Sequence, residues 1–517
     1  MPSGIPYIVG NETAERFSYY GMKAILTIFM VNYLRMSEHD AIHWMHTFGS
    51  AVYFMPIFGA LIADIFLGKY KTILTLSIVY CIGHIILALN ETQDGLFWGL
   101  TFIAVGSGGI KPCVSAHVGD QFKKENSHLV EKVFGYFYVA INMGAFVSSM
   151  ATPFLLKYYG PAVAFGIPGF LMLIATFIFW LGRKSFVHIP PFGKEYLKLL
   201  TSKEGLTAIG RLMFIYLFIA VFWSLYDQNG STWIIQANNG YMDKHVDLYF
   251  FSFEILPDQI QTINPFLILF FVPLFSSVLY PWIDKLIPLS PLKKILIGML
   301  IACIPYILLG IVENWMFEGK TVSVHWQFLI YFFMTIAEIL ISVTALEFSY
   351  TQAPNAIKSS IMGLYLFSVS LGNVFVTVIN DVNSQETLIY LQEKNHQLIV
   401  NSIDSYLLEG EKLELNENKQ LFVVNALKDT SYIGGTYYIG KSLTKNTYIL
   451  LDNQGKPLEV LEDKSLPKSP EIGHTHKLKG GNYFYFYAVF MLVTALLFSY
   501  VAFNYKGKTY IQDHPLG

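Results

Sequence analysis

Twelve long apolar segments dominate this chain and leave little choice of fold. They run at about 12–34, 43–67, 71–90, 95–119, 131–156 and 161–182, then 206–229, 260–287, 292–315, 325–350, 357–380 and 482–504. Each is near the roughly 20 residues that cross a bilayer. In lipid a backbone must satisfy its own hydrogen bonds, so such segments are helices. Only 14% of the 517 residues are charged, where a soluble protein of this length carries nearer a quarter. A net charge of −2 gives no basic face for nucleic acid. Cys81, Cys113 and Cys303 all fall in apolar runs, which excludes a disulfide framework or a zinc spacing. The opening "MPSGIPYIVGNETAERF" lacks the basic and apolar regions of a signal peptide and reads as an uncleaved end.

Lys and Arg give the orientation. Lys69 and Lys71, Lys123 and Lys124, Arg183 and Lys184, Lys198 and Lys203, Lys285, Lys293 and Lys294, and Lys358 cluster in alternate loops. The opposite short loops hold mainly Arg35, Lys157, Lys244 and Lys320 beside acids. The positive-inside rule places the first set, and both termini, in the cytoplasm of a multi-pass cell-membrane protein. The polar stretch 183–205 divides the spans six and six, as a cytoplasmic linker does. The expected units are a bundle over 1–182, this linker, a second bundle over 206–381, an external insert over 382–480, and the last helix and tail over 481–517. The later half of the insert alternates as strands do, as in "SYIGGTYYIGKSL". Its earlier half is open between helical and mixed structure.

Charge inside the spans is the functional signal. "NETAERFSYYGMKAIL" puts Glu12, Glu15, Arg16, Tyr19, Tyr20 and Lys23 on one arc of the first helix. Charge at that depth must face a protein interior or a water cavity. The arc is either a structural ion-pair cluster or a titratable cluster beside a substrate path, and both can hold. Lys111 follows three glycines in "GSGGIKPCVSAHVGDQF", too deep to snorkel comfortably to the headgroups. Glu338 is centred in span ten without a local basic partner. Cations Lys23 and Lys111 in the first half and an acid in the second suit a zwitterion, held by its carboxylate and its amino group. Tyr20, Tyr53, Tyr138, Asn142, Trp223, Asn264 and Tyr365 are candidates to line that cavity. In a chain with 42 Phe, 33 Tyr and 8 Trp, each aromatic taken singly also reads as ordinary packing.

"ETAERFSYYGMKAIL" resembles the E-x-x-E-R-F-x-Y-Y-G signature of the proton-coupled oligopeptide transporter family. "YFMPIFGALIADIFLGKYKT", "GSGGIKPCVSAHVGDQF", "FGYFYVAINMGAF", "FWSLYDQNGSTW" and "EFSYTQAP" resemble further segments of it, in its order. The likeness is closer to the animal members than to the fourteen-helix bacterial ones. It implies a major-facilitator fold, functional as a monomer, that imports di- and tripeptides, and peptide-like drugs, with protons and needs no cofactor. By residue-to-residue match, Glu12, Glu15, Arg16 and Lys111 are implied in proton coupling. Tyr20, Lys23, Tyr53, Asn142, Trp223, Asn264, Glu338 and Ser342 are implied in substrate binding, with Glu338 receiving the peptide's amino terminus. His46 matches a coupling histidine of the animal members, and equally reads as a neutral His capping span two. Asp64 resembles a cytoplasmic gating motif, and Arg211 matches an animal-family gating arginine whose expected aspartate partner appears as Ser276.

The chain departs from the pattern in several places. Lys23 stands where many members have arginine and loses the bidentate fork. Tyr365 stands at a pocket tryptophan's position. The insert follows span eleven, not span nine as in animal members, and the extra pair of bacterial helices is absent from 183–205. Alternatives are a related carrier of nitrate or another small anion, and a peptide sensor that does not transport. An enzyme is disfavoured, since no nucleophile–base pairing or metal spacing occurs. The insert and the Lys/Asn/Ile-rich composition suggest a bacterium, which would put a Gram-negative member in the inner membrane.

Overall fold

Capping and close glycine contacts set the helix pattern in the computed structural model. It describes residues 2–122, 130–191, 193, 195–248, 251–286, 290–353, 357–394, 397–403, 407–424, 430–444, 446–460 and 471–505. Helix α1 (Ile5–Ile28) runs on through a π turn, Phe29–Tyr33. Ser37 caps α2 (Glu38–Ile62) by accepting the Asp40 N–H, and a second π turn, Ala63–Leu67, extends it. Then come α3 (Lys69–Leu89), α4 (Gln93–Asp120), α5 (Val130–Tyr159) and α6 (Pro161–Leu181). Short α7 (Glu195–Leu200) precedes α8 (Lys203–Tyr226), which Ser202 caps. A 3-10 turn, Asp227–Gly230, leads into α9 (Thr232–Asn238). Two small pairings follow: β1 (Met242–Asp243) with β4 (Val322–Ser323), and β2 (His245–Leu248) with β3 (Phe251–Glu254).

The later helices are α10 (Ile263–Leu274), α11 (Tyr280–Leu286), α12 (Pro291–Phe317), α13 (His325–Glu338), α14 (Thr344–Gln352), α15 (Lys358–Asn383) and α16 (Asn482–Asn504). A π turn, Ile339–Val343, joins α13 to α14 directly after Glu338. Among the described residues, eleven helical stretches are long and apolar enough to cross a membrane. Helix α1 is as long, but its buried charges lower its hydropathy.

Buried apolar side chains fall into two large clusters. One is built on α1–α6 with Ile234, the other on the helices from α8 onward. Helix α1 packs between α5 and α6, and α2 packs on α4 and, across the two clusters, on α15. The α2–α4 contact depends on glycine: a Cβ at Gly59 would overlap the Gly108 carbonyl oxygen. This crossing brings α4, and with it Lys111, against the first helices.

Between α15 and α16 the chain forms a small β domain. It contains β5 (Ser384–Lys394), β6 (Gln397–Ser402), β7 (Lys412–Val424), β8 (Thr430–Thr444), β9 (Thr447–Leu451), β10 (Glu459–Val460) and β11 (Glu471–His476). The order is β10-β6-β5-β11-β7-β8-β9, and an antiparallel β6–β9 pairing closes it on itself. Closure removes the exposed edges that an open sheet would leave. The stretch that the sequence leaves open between helical and mixed structure is thus strand over β5 and β6. Ile389, Leu391, Leu398, Val400, Leu413, Ile439 and Leu450 fill the interior.

Candidate functional site

The charged arc of α1 faces protein, not lipid. Arg16 Nη2 lies 2.7 Å from Glu12 Oε1, and Arg16 Nε lies 3.4 Å from Glu15 Oε2. Lys111 reaches in from α4, with Nζ 3.7 Å from Glu15 Oε1 and 3.9 Å above the Tyr19 ring centre. The Tyr53 ring lies 5.7 Å from the same ammonium. Glu12, Glu15 and Lys111 are 2%, 0% and 8% exposed. Two carboxylates and two cations balance in this buried group, and removing any one strands a charge. The sequence-predicted residues Glu12, Glu15, Arg16 and Lys111 therefore form one cluster.

A second network joins the two helix clusters at the end nearer the β domain. Lys23 Nζ lies 3.1 Å from Asp227 Oδ1, in the turn after α8. Asn373 of α15 donates from Nδ2 to Asp227 Oδ2 at 2.7 Å. Its Oδ1 lies 2.7 Å from His46 Nδ1, and His46 Nε2 lies 2.7 Å from Ser231 Oγ. An amide oxygen only accepts, so this orientation makes Nδ1 the protonated nitrogen and leaves Nε2 to accept from Ser231 in the neutral ring. His46 is buried in the third turn of α2, and Ser37 is the cap of that helix. The capping alternative for His46 therefore does not hold. Thr27 adds a further tie by donating to the Gly230 carbonyl at 2.6 Å.

The third group is centred on Glu338, at the last residue of α13. Asn264 Nδ2 donates to Glu338 Oε2 at 2.7 Å and lies 3.2 Å from Thr335 Oγ1. The Tyr226 hydroxyl donates to Asn264 Oδ1 at 3.1 Å. Among the described residues Glu338 has hydrogen-bond partners but no cation at salt-bridge distance. Trp223 packs edge-on to Tyr226, with ring centres 5.4 Å apart, and its buried indole N–H has no hydrogen-bond partner among the described residues. Tyr365 donates to the Ser342 carbonyl at 3.2 Å, in the π turn after Glu338. Tyr20 stands between the groups, in electrostatic reach of Arg16, Lys23, Glu15 and Glu338.

The remaining expected residues divide. Tyr53 and Asn142 are half-buried, Tyr53 against Lys111 as above. The Tyr138 and Ser276 side chains lie outside the described residues. Asp64 is buried in the π turn ending α2, and Arg211 lines a cleft near the start of α8 with Glu204, Gln352 and Tyr505. Both are at the opposite ends of their helices from His46 and Asp227. Asp227, Asn373, Ser231, Tyr226 and Thr335 were not singled out from sequence. Asp227 sits in "FWSLYDQNGSTW", and an acid at the end of an apolar span was a usable signal.

Long apolar helices that enclose three sets of ionisable groups define a polytopic membrane protein. The chain belongs to the POT family, whose sequence model matches residues 70–201 and 195–397. It is 39% identical over 366 residues to solute carrier family 15 member 2 of Rattus norvegicus, covering 60% of this chain and 49% of that one. To Homo sapiens solute carrier family 15 member 1 it is 36% identical over 375 residues, covering 60% and 52%. The chain thus spans about half the length of the curated relatives it matches. Among solved structures it is similar to the POT family transporter PepTSo, with a TM-score of 0.67 and 37% identity over 74% of this chain and 90% of that one. An auto inhibited POT family peptide transporter matches with a TM-score of 0.72 and 27% identity over 99% of both chains.

Proposed function

We propose that this protein is a proton-coupled symporter that imports di- and tripeptides by alternating access. The observation that carries the reading is the pairing of opposites across the helix clusters. Glu338 is a half-buried acid with polar partners and, among the described residues, no cation at salt-bridge distance, while Lys23 and Lys111 belong to the first helix cluster. A zwitterion satisfies both walls, its ammonium at Glu338 and its carboxylate at Lys23. Every peptide shares these termini, so side chains of many kinds are accepted, as are peptide-like drugs that keep the two charges.

The mechanism follows from the three groups. Lys23 is held by Asp227 before substrate arrives. A peptide carboxylate competes for that ammonium, and the Asp227–Asn373–His46–Ser231 chain loses its anchor. A proton on a carboxylate of the Glu12/Glu15 pair, by way of His46, frees Arg16 or Lys111 to change partners. The two clusters, as six-helix bundles of a twelve-helix major-facilitator fold, then rock about the central site. Asp64 and Arg211, at the far helix ends, belong to the opposite gate. Each proton contributes about 2.3 kcal/mol per 100 mV of membrane potential. No cofactor is needed, and the chain functions as a monomer with both termini cytoplasmic and the β domain outside.

Substrate class is tested by counterflow in proteoliposomes. Labelled dialanine should exchange against unlabelled dialanine and not against nitrate. Exchange with nitrate and not with dipeptide would overturn the reading in favour of an anion carrier, and binding without exchange would mark a sensor.

A further inference from the structure

A cavity of about 380 Å³ lies between the β domain and the ends of α2, α9, α12, α15 and α16. It is separate from the central site and is lined by five glutamates and two lysines. The lysines are already committed. Lys412 Nζ sits 2.9 Å from Glu38 Oε2 and 3.7 Å from Glu313 Oε1, so one ammonium serves two carboxylates. Lys479 Nζ donates to Glu411 Oε2 at 2.8 Å.

Glu411 is the residue left incomplete. It is 3% exposed. Its Oε2 also accepts the Leu408 N–H at 2.9 Å, while its Oε1 is buried with no hydrogen-bond partner among the described residues. A buried carboxylate oxygen without a donor is costly, and its deficit is for a donor, preferably a charged one. The cavity also presents the Tyr438 and Tyr483 rings, surfaces that favour a cation. Its volume falls in the range of small-molecule sites.

We propose that this cavity is a second ligand site that takes a primary ammonium group, with Glu411 as its acceptor. An anion is disfavoured there because both lysines are held by glutamates. The ammonium can belong to a free alkylamine or to the amino terminus of a peptide resting outside the central site. Because the cavity walls come from α2 and from α12, α15 and α16, an occupant touches both helix clusters at once.

Calorimetric titration of the full chain in detergent with cadaverine tests the site. Saturable binding should weaken about tenfold or more in Glu411→Gln and stay unchanged in Glu338→Gln. Glu313→Gln, which thins the same negative wall, should weaken it by a smaller factor and gives an independent reading if Glu411→Gln does not fold. Dialanine that displaces cadaverine from this site identifies a peptide amino terminus as the natural group, and failure to displace it identifies a free amine. Binding that is absent, equal in wild type and the cavity variants, or lost in Glu338→Gln overturns the proposal.

Discussion

Lys23 and Asp227 meet at 3.1 Å although 204 positions separate them in the chain. The pair joins the first helix to the turn after α8, and so joins the two packed clusters. Both groups are mostly buried, so removing one partner leaves the other charge buried and uncompensated.

Asp227→Asn should release Lys23 while keeping an oxygen for Asn373. Dialanine counterflow should slow by about tenfold or more, in line with the loss of a buried charge partner. Cysteines placed at the ends of α2 and α15 nearer the β domain should become more reactive. Unchanged rates and reactivity would mean that the pair does not hold the gate.

Glu338→Gln should remove the preference for a free amino terminus. A hydrogen bond to a charged group contributes about 1.5–3 kcal/mol, or roughly 10–100-fold in affinity. Competition against labelled dialanine should show dialanine far stronger than N-acetyl-dialanine in wild type. The two should become nearly equal in the variant, through weaker dialanine.

Proton coupling should be separable from binding at Glu15. In Glu15→Gln, Lys111 and Arg16 share one fewer carboxylate. Gradient-driven accumulation should be lost while counterflow persists. Loss of both together would make the cluster purely structural.

The β domain should detach in acid. Burial tends to raise the Glu414 carboxyl, but the His476 hydrogen bond and charge, helped by His39 and its backbone N–H, outweigh burial and hold it below the usual range. A carboxyl lowered on folding stabilises the docked state fully above its unfolded value of about 4.5, and that stability is lost as pH falls through the folded value. Protease cleavage of the β domain should therefore rise as pH drops below about 4.5, and Glu414→Gln should flatten that dependence. Lys412 gives no such effect near neutral pH. Burial lowers it, but Glu38, Tyr438 and Glu313 raise it well above the ordinary lysine range. Its stabilisation is full below about 10.5 and is lost only as pH rises beyond that.

What was legible in the sequence follows from locality. Helical periodicity placed Glu12, Glu15, Arg16 and Lys23 on one arc because those positions are turns apart. The depth of Lys111 and Glu338 within their helices was readable from long apolar flanks. The Lys23–Asp227–Asn373–His46–Ser231 chain was not, since its members come from four separate stretches and only packing brings them together. Strand β5 was ambiguous for a different reason. Thr387, Ile389 and Leu391 point inward, but Leu388 and Tyr390 are exposed apolar residues between them, which blurs the two-residue period.

Uptake of labelled dialanine into proteoliposomes with an inward proton gradient and a negative interior separates proton-coupled symport from passive entry. Accumulation above the outside concentration, abolished when the gradient and potential are collapsed, is the predicted result. Equilibration that never exceeds the outside concentration and ignores the gradient would contradict proton-coupled symport.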